Sequence, residues 1–496
     1  MKKISAIIIA SSISALGWAE EFKTGGEGST FTFSQIAALA PETVMEAGNV
    51  FTVLQDFTVD EGDTLLLQDG EQVSLCDGVS ITIDGVMDFR PLTSALVTRA
   101  SAEDEPKGFR VTGDNAVMKV SNVVFEYVAF NHMSYQPIEA RNCTFRYAGT
   151  SLTSNAAISL LRTTEGNVFK GCRFIQNASA AIGGSATTGT GMVVEDCYFY
   201  DNNTSNVNKP QLNLIAGGND SIVIRNSTFL GTGRDMVGGI GFMNYYVEGS
   251  NNVRIENNLI QDNRYGIAAY SYCPLNMELV NNTIINNHYE SNPNNGGSGI
   301  MLYDYGTASL NAYIQGNYIE GNLWGVTVLG NVGEINFGKT ADPQAADYNP
   351  GGNVFLNNGN GGVEYDLFNN TSNNATIYAQ GNIWSVAVQD SVSIAEVVWD
   401  SNDAGGHGEV IFTSPAAEVV ALQHITAEGS KQETTLRYDA STQMLYADAN
   451  EMIRVYNMNG VYVKGGKGRQ LSLQQLPAGS YLATIGRNNK YQIITK

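Results

Sequence analysis

The sequence predicts an all-β chain: a right-handed parallel β-helix followed by a small C-terminal β-sandwich. Three observations predict it. First, one short phrase returns through the middle of the chain, as SNVVF, RNCTF, KGCRF, EDCYF, RNSTF, ENNLI, VNNTI, QGNYI, GGNVF and QGNIW. Its large apolar anchors are Phe125, Phe145, Phe174, Phe199, Phe229, Ile260, Ile284, Ile319, Phe355 and Trp384, spaced 20 to 36 residues apart, the mark of stacked units. Second, each phrase alternates apolar and polar residues and runs into Asn or Gly, as a short strand entering a bend does. No unit holds a stretch long enough for an amphipathic helix. Third, the phrase stops near residue 416, and a hairpin pattern with Asn459-Gly460 as a two-residue turn takes over.

Taken in order, Met1 to Ala19 reads as a secretory signal: Lys2 and Lys3, an apolar run from Ile4 to Leu16, then Gly17-Trp18-Ala19 as a small-x-small cleavage site. The run is too short to span a membrane, and no later stretch reaches the ~20 apolar residues that would. A secreted or outer-surface protein is expected. Residues 20–116 read as an N-terminal cap with the first coils, Ser34 capping a short helix (Gln35 to Leu39) that Pro41 ends.

The coils themselves occupy 117–415. The residue two before each anchor forms a column of Cys143, Cys172 and Cys197, then Ser227, then Asn258, Asn282, Asn317, Asn353 and Asn382. A second column, three residues past the anchor, runs through Asn177, Asn202, Asn263, Asn287, Asn322 and Asn358. Asn tolerates left-handed backbone at a bend, and its amide pairs with the same amide one coil up and one down. Five cysteines cannot all pair, and stacked parallel strands hold Cβ atoms too far apart for a bridge, so free buried thiols are expected. The segments His288–Ser298 and Gly330–Gly351 read as surface loops.

Residues 383–415, with W, D, G and P in that order, resemble the terminal coil of many parallel β-helix proteins. Residues 416–496 form the sandwich. At MIRVYNMNG, LQQLPAGSYLATI and the Lys-terminated last strand they resemble the C-terminal sorting domain of type IX secretion cargo. That resemblance implies the type IX machinery as a partner and export through the outer membrane. The Pro-Asn-Pro that opens many such domains is missing.

A formal charge of -21, from 28 Lys plus Arg against 49 Asp plus Glu, disfavours nucleic acid and anionic membranes. After the second Asn column a Gly-Ile or Gly-Val opens the next strand, at Gly239, Gly266, Gly299, Gly325 and Gly362. The first and third residues after Gly should point inward. The fourth and sixth then face out, stacking Tyr270 with Tyr303 and aligning Tyr245, Tyr272 and Tyr305. Such a tyrosine face suits a polysaccharide or host glycan, each ring offering apolar area and a hydroxyl; it equally suits an aromatic ladder that only stabilises coils. Asp304, Glu364 and Asp366, with Arg264, His288 and Glu290 in adjoining bends, are the acidic and basic candidates for catalysis.

The fold resembles that of pectate lyases and polygalacturonases, which implies polysaccharide lyase or hydrolase chemistry. Their signatures are missing: Arg254-Ile255-Glu256 stands where a lyase has Arg-Ile-Lys, and Gly406-His407-Gly408 lies past the last coil. Ca²⁺ could be held by Asp, Glu and Asn oxygens, but no spacing places a site. Three functions stay open: a glycan binder, a lyase or hydrolase, and an adhesin toward protein.

Overall fold

The computed structural model describes residues 21–149, 156–162, 164–184, 189–215, 221–244, 251–290, 292, 296–306, 308–413, 436–439, 442–457, 462–477, 480–485 and 492–495. The expected signal segment and the Asn459-Gly460 turn lie outside these residues. Three long sheets run the length of the coils: an anchor sheet of 13 strands, a face sheet of 14 and a third sheet of 14. One coil shows the circuit. The chain passes Asn251–Glu256 in the third sheet, Leu259–Gln261 in the anchor sheet and Ile267–Ser271 in the face sheet, and Leu275–Val280 opens the next coil. Each strand pairs in parallel with its equivalent one coil on, and parallel crossovers of L-residues wind right-handed. The chain is a right-handed parallel β-helix.

The anchors lie in direct register from Phe125 to Phe355. Phe125, Phe145, Phe174, Phe199 and Phe229 stack with ring centroids 4.4 to 5.1 Å apart. All the anchors are buried, each burial contributing about 1.5 to 3 kcal/mol. The amide columns form as expected, with Nδ2-to-Oδ1 distances of 3.0, 2.9, 3.0 and 2.9 Å from Asn258 through Asn282, Asn317 and Asn353 to Asn382. The backbone reason differs from the expected one. The left-handed residue is the one before the ladder position: Asn122, Asn142, Asp196, Asn226, Asn257 and Asn281 have φ of 52 to 57°. Gly316 does the same job one coil on (φ 66°), where a Cβ would lie 2.3 Å from Asn281 Oδ1.

Helix Phe33–Leu39 seats Phe33 and Ile36, both buried, against Phe51 and Phe89 of the first coils. Its cap is Thr32 rather than Ser34. Thr32 Oγ1 accepts from the Gln35 N–H at 3.2 Å while Gln35 Oε1 accepts from the Thr32 N–H at 2.8 Å, a reciprocal box that Ser34 cannot make. At the other end a second helix, Ser391–Ala395, adds Ile394 to the same core, and Val398–Trp399 and Val410–Ile411 are the last coil strands. The expected loop Gly330–Gly351 contains a strand of the third sheet, Ile335–Gly338. All five cysteines are free thiols, and the three in the column are buried.

Among the described residues the small C-terminal β-domain is one antiparallel sheet of five strands, Leu436–Asp439, Met444–Asn457, Tyr462–Ser472, Ser480–Ile485 and Gln492–Thr495, where two packed sheets were expected. Leu445, Ile453, Val455, Leu473 and Ala483 give it a core of its own.

Candidate functional site

Alternation along the face sheet decides which side chains can meet a ligand. Ile267, Ala269, Ile300, Leu302, Val326 and Val328 all point inward and are buried. Tyr270 and Tyr303 therefore point out in direct register, with centroids 5.1 Å apart. Past the strand ends Tyr272 stacks on Tyr305 at 4.2 Å and 13°, and Tyr305 stacks on Tyr303 at 4.1 Å, so four rings form one cluster. Tyr272 and Tyr305 remain 38% and 42% exposed, which leaves ring area for a partner. Desolvation and the neighbouring Tyr305 hydroxyl raise the Tyr303 hydroxyl above its ordinary range, so Tyr303 is neutral at physiological pH. Tyr245 lies outside the described residues.

A groove of about 360 Å³ opens beside the cluster. Tyr270 and Tyr305 form part of its wall, with Met243, Met301, Arg264 and Tyr265. The Tyr265 ring lies across Gly238, where a Cβ would sit 2.1 Å from it, and burial pushes its hydroxyl to about 12 against the pull of Arg264. Arg264 and Glu290 pair at 2.6 Å with each side chain 8% exposed, and Arg264 Nη1 also donates to Asn208 Oδ1 at 2.6 Å. Glu290 Oε1 accepts the Asn292 N–H at 2.9 Å. The bend residues singled out in the sequence thus include one buried ion pair at the groove. His288 stands apart from it, with Nδ1 2.7 Å from the Gly321 carbonyl and its ring against Tyr289.

The three carboxylates do not form a catalytic pair on the solvent face. Asp304 is fully buried. Its Oδ1 accepts the Gly306 N–H and its Oδ2 those of Ser309 and Leu310, each at 2.9 Å, so it holds the turn after its strand. Asp366 is also fully buried: Oδ1 accepts from Asn358 Nδ2 at 3.1 Å and Ser385 Oγ at 2.8 Å, and Oδ2 accepts the Ser385 N–H at 2.7 Å. It ends the second amide ladder. Burial pushes its carboxyl up to about 6, outweighing the three donors that pull it down. Glu364 is exposed but lies off the coil strands, in a two-residue hairpin of Gly359–Asn360 with Val363–Glu364. Gly361 and Gly362 take φ of 61° and 90° there, so Gly362-Val363 imitates a strand opening while the true strand is Leu367–Thr371. Among the described residues no three His, Cys, Asp or Glu side chains converge as metal ligands.

The model of the right handed beta helix region matches residues 127–323. That span covers the phrases from Phe145 to Ile319. Two solved structures are similar to this chain: the periplasmic alginate epimerase AlgG and a point mutant of it. Both are 12% identical over 78% of this chain and 84% of theirs, with TM-scores of 0.42 and 0.41. No curated protein matches.

The groove residues Asn208, Tyr265, Met243 and Met301 were not singled out in the sequence. For Met243 the signal was present, since it precedes Tyr270 and Tyr303 in one register column. Asn208 comes from a connection between strands, which periodicity does not place.

Proposed function

We propose that this chain is a secreted or surface-attached glycan-binding protein that takes a polysaccharide or host glycan on its tyrosine face. The observation that carries the reading is the four-ring cluster of Tyr270, Tyr272, Tyr303 and Tyr305 opening onto a groove on a rigid outward sheet. Stacked phenol rings give apolar area to a pyranose and hydroxyls to its ring oxygens, and the parallel sheet fixes them before binding, so little ordering cost remains. The basic leader and the sorting-domain resemblance support export by the type IX route. A binding role is favoured over lyase or hydrolase action because Asp304 and Asp366 direct their oxygens to structural donors and Glu364 lies off the coils.

The test is a glycan array with the wild type and a Tyr270→Ala, Tyr303→Ala variant. The variant is expected to lose at least about tenfold in affinity, roughly 1.4 kcal/mol, with its melting temperature unchanged. Undiminished binding by the variant would sink the reading. Release of reducing ends or unsaturated sugars by the wild type would replace it with the enzymatic one.

A further inference from the structure

We infer that the ligand is a neutral polysaccharide chain lying along the helix axis, which touches not only the tyrosines but a second aromatic stretch on the same sheet. This rests on the glycan-binding reading and specifies it. Two adjacent columns of outward side chains run up the face sheet. One is Met243, Tyr270, Tyr303, Leu329 and Asn370; the other is Gly241, Ala268, Met301, Thr327, Phe368 and Trp399, all in direct register. The first column is aromatic in the lower coils and the second in the upper ones. Met301 and Leu329, both half-buried, join the two stretches.

The upper stretch is built as a platform. Phe368 stacks between Trp324 at 4.7 Å and Trp399 at 4.5 Å, the planes within 20° of one another, and Tyr365 flanks both Trp324 and Phe368. His407, from the Gly406-His407-Gly408 motif, which lies within the last coil rather than past it, packs on Trp399 and extends it. All five rings are only half-buried. From Gly241 to Trp399 there are five strand spacings, roughly 24 Å, and one pyranose repeat is close in length to one coil. The surface therefore matches an extended chain of several sugars rather than a disaccharide.

Charge selects the class of chain. No side chain in either column is ionised, and among the residues lining the groove Arg264 alone is charged, already held by Glu290 at 2.6 Å. The molecule as a whole carries -21. A polyuronate would approach a field of its own sign and meet, among the described groove residues, only a guanidinium that is already matched, whereas a neutral chain loses only water from the exposed edges of the stacked rings.

Titration calorimetry of the full chain tests this, with neutral gluco-, manno- and xylo-oligosaccharides and with oligogalacturonates, each in a length series. A neutral series is expected to gain at least tenfold in affinity between trimer and hexamer. A Phe368→Ala, Trp399→Ala variant should lose that gain and keep trimer binding. Hexamer binding should also shift the tryptophan fluorescence of the wild type to the blue. That shift should vanish in a Trp324→Phe, Trp399→Phe variant, which keeps rings in place and guards against misfolding; Trp384, 1% exposed, does not report. Affinity independent of length, or a hexamer gain that survives loss of Phe368 and Trp399 while the Tyr270, Tyr303 variant is impaired, overturns the inference and leaves the tyrosine site standing. Preference for oligogalacturonate overturns the neutral class alone. Binding of neither series removes the glycan reading itself.

Discussion

His132 is a histidine placed where the alternation of its strand demands a hydrocarbon. It lies in register between Val111 and Leu160, fully buried, and among the described residues neither ring nitrogen finds a hydrogen-bond partner. Burial lowers it to about 4 from an ordinary 6.5. A folded value below the unfolded one means the unfolded chain binds the proton first. The contribution of the neutral imidazole is whole above pH 6.5 and drains away as pH falls toward 4, amounting to roughly 3 kcal/mol. Asp366 runs the other way, since its folded value of about 6 lies above 3.8: what it contributes is whole below 3.8 and lost as pH rises through 6. The two oppose each other across the same window, which hides both in the wild type. Replacing His132 by Leu exposes them, and the variant should gain roughly 2 to 3 kcal/mol more over the wild type at pH 4.5 than at pH 7.5. Urea midpoints at the two pH values measure this. An equal gain at both would mean that the imidazole charges freely in the native state. At this scale the sequence was half legible. Alternation placed Tyr270 and Tyr303 outward and, counted on to the fifth residue after Gly299, it places Asp304 inward as well. What alternation does not contain is the turn whose N–H groups Asp304 collects.

At the scale of the element, the returning phrase was a register map, because an anchor that must be buried in every coil fixes where the strand lies however long the insertion before it. The amide ladders were legible for the same reason, with one gap. The coil of Phe229 has Thr232 where Asn is due, and Gln211, from the bend just before the face-sheet strand Leu212–Leu214, fills the place. Its Oε1 accepts from Asn202 at 3.0 Å and its Nε2 donates to Asn263 at 2.9 Å. A longer side chain reaching in from a different backbone position leaves no periodic trace. The geometry also sharpens what a broken rung costs. In Asn282→Leu the Asn258 N–H and one of its amide hydrogens lose Asn282 Oδ1, whereas Asn317 Oδ1 keeps the backbone N–H of residue 282. Two buried donors without acceptors should cost roughly 2 to 5 kcal/mol. Asn282→Ser should cost less, since Ser227 already serves as a rung by accepting the Cys197 N–H at 3.0 Å. Chemical denaturation of the pair checks the order; a serine variant no better than leucine would show that filling the space matters more than pairing the amide.

For the molecule as a whole, stacking makes stability a sum of neighbour terms, and the ends are where that sum has only one neighbour to draw on. The first coils end in an apolar interior and a parallel edge open to another chain. Helix Phe33–Leu39 covers the interior with Phe33 and Ile36, and the antiparallel strand Val44–Ala47 occupies the edge of the anchor sheet by pairing with Val50–Val53. Ile36→Asp places a carboxylate in that seal, where it has no partner, and the cost of desolvating it exceeds what one short helix gains by docking. The helix should lift while the coils beyond it stay wound. Hydrogen exchange read by mass spectrometry should then rise in residues 22–66 and hold steady from the Phe125 coil onward, and sedimentation should show self-association through the uncovered end. Faster exchange spread evenly to the Phe355 coil would mean that the helix melts as one cooperative body instead of a stack of neighbours.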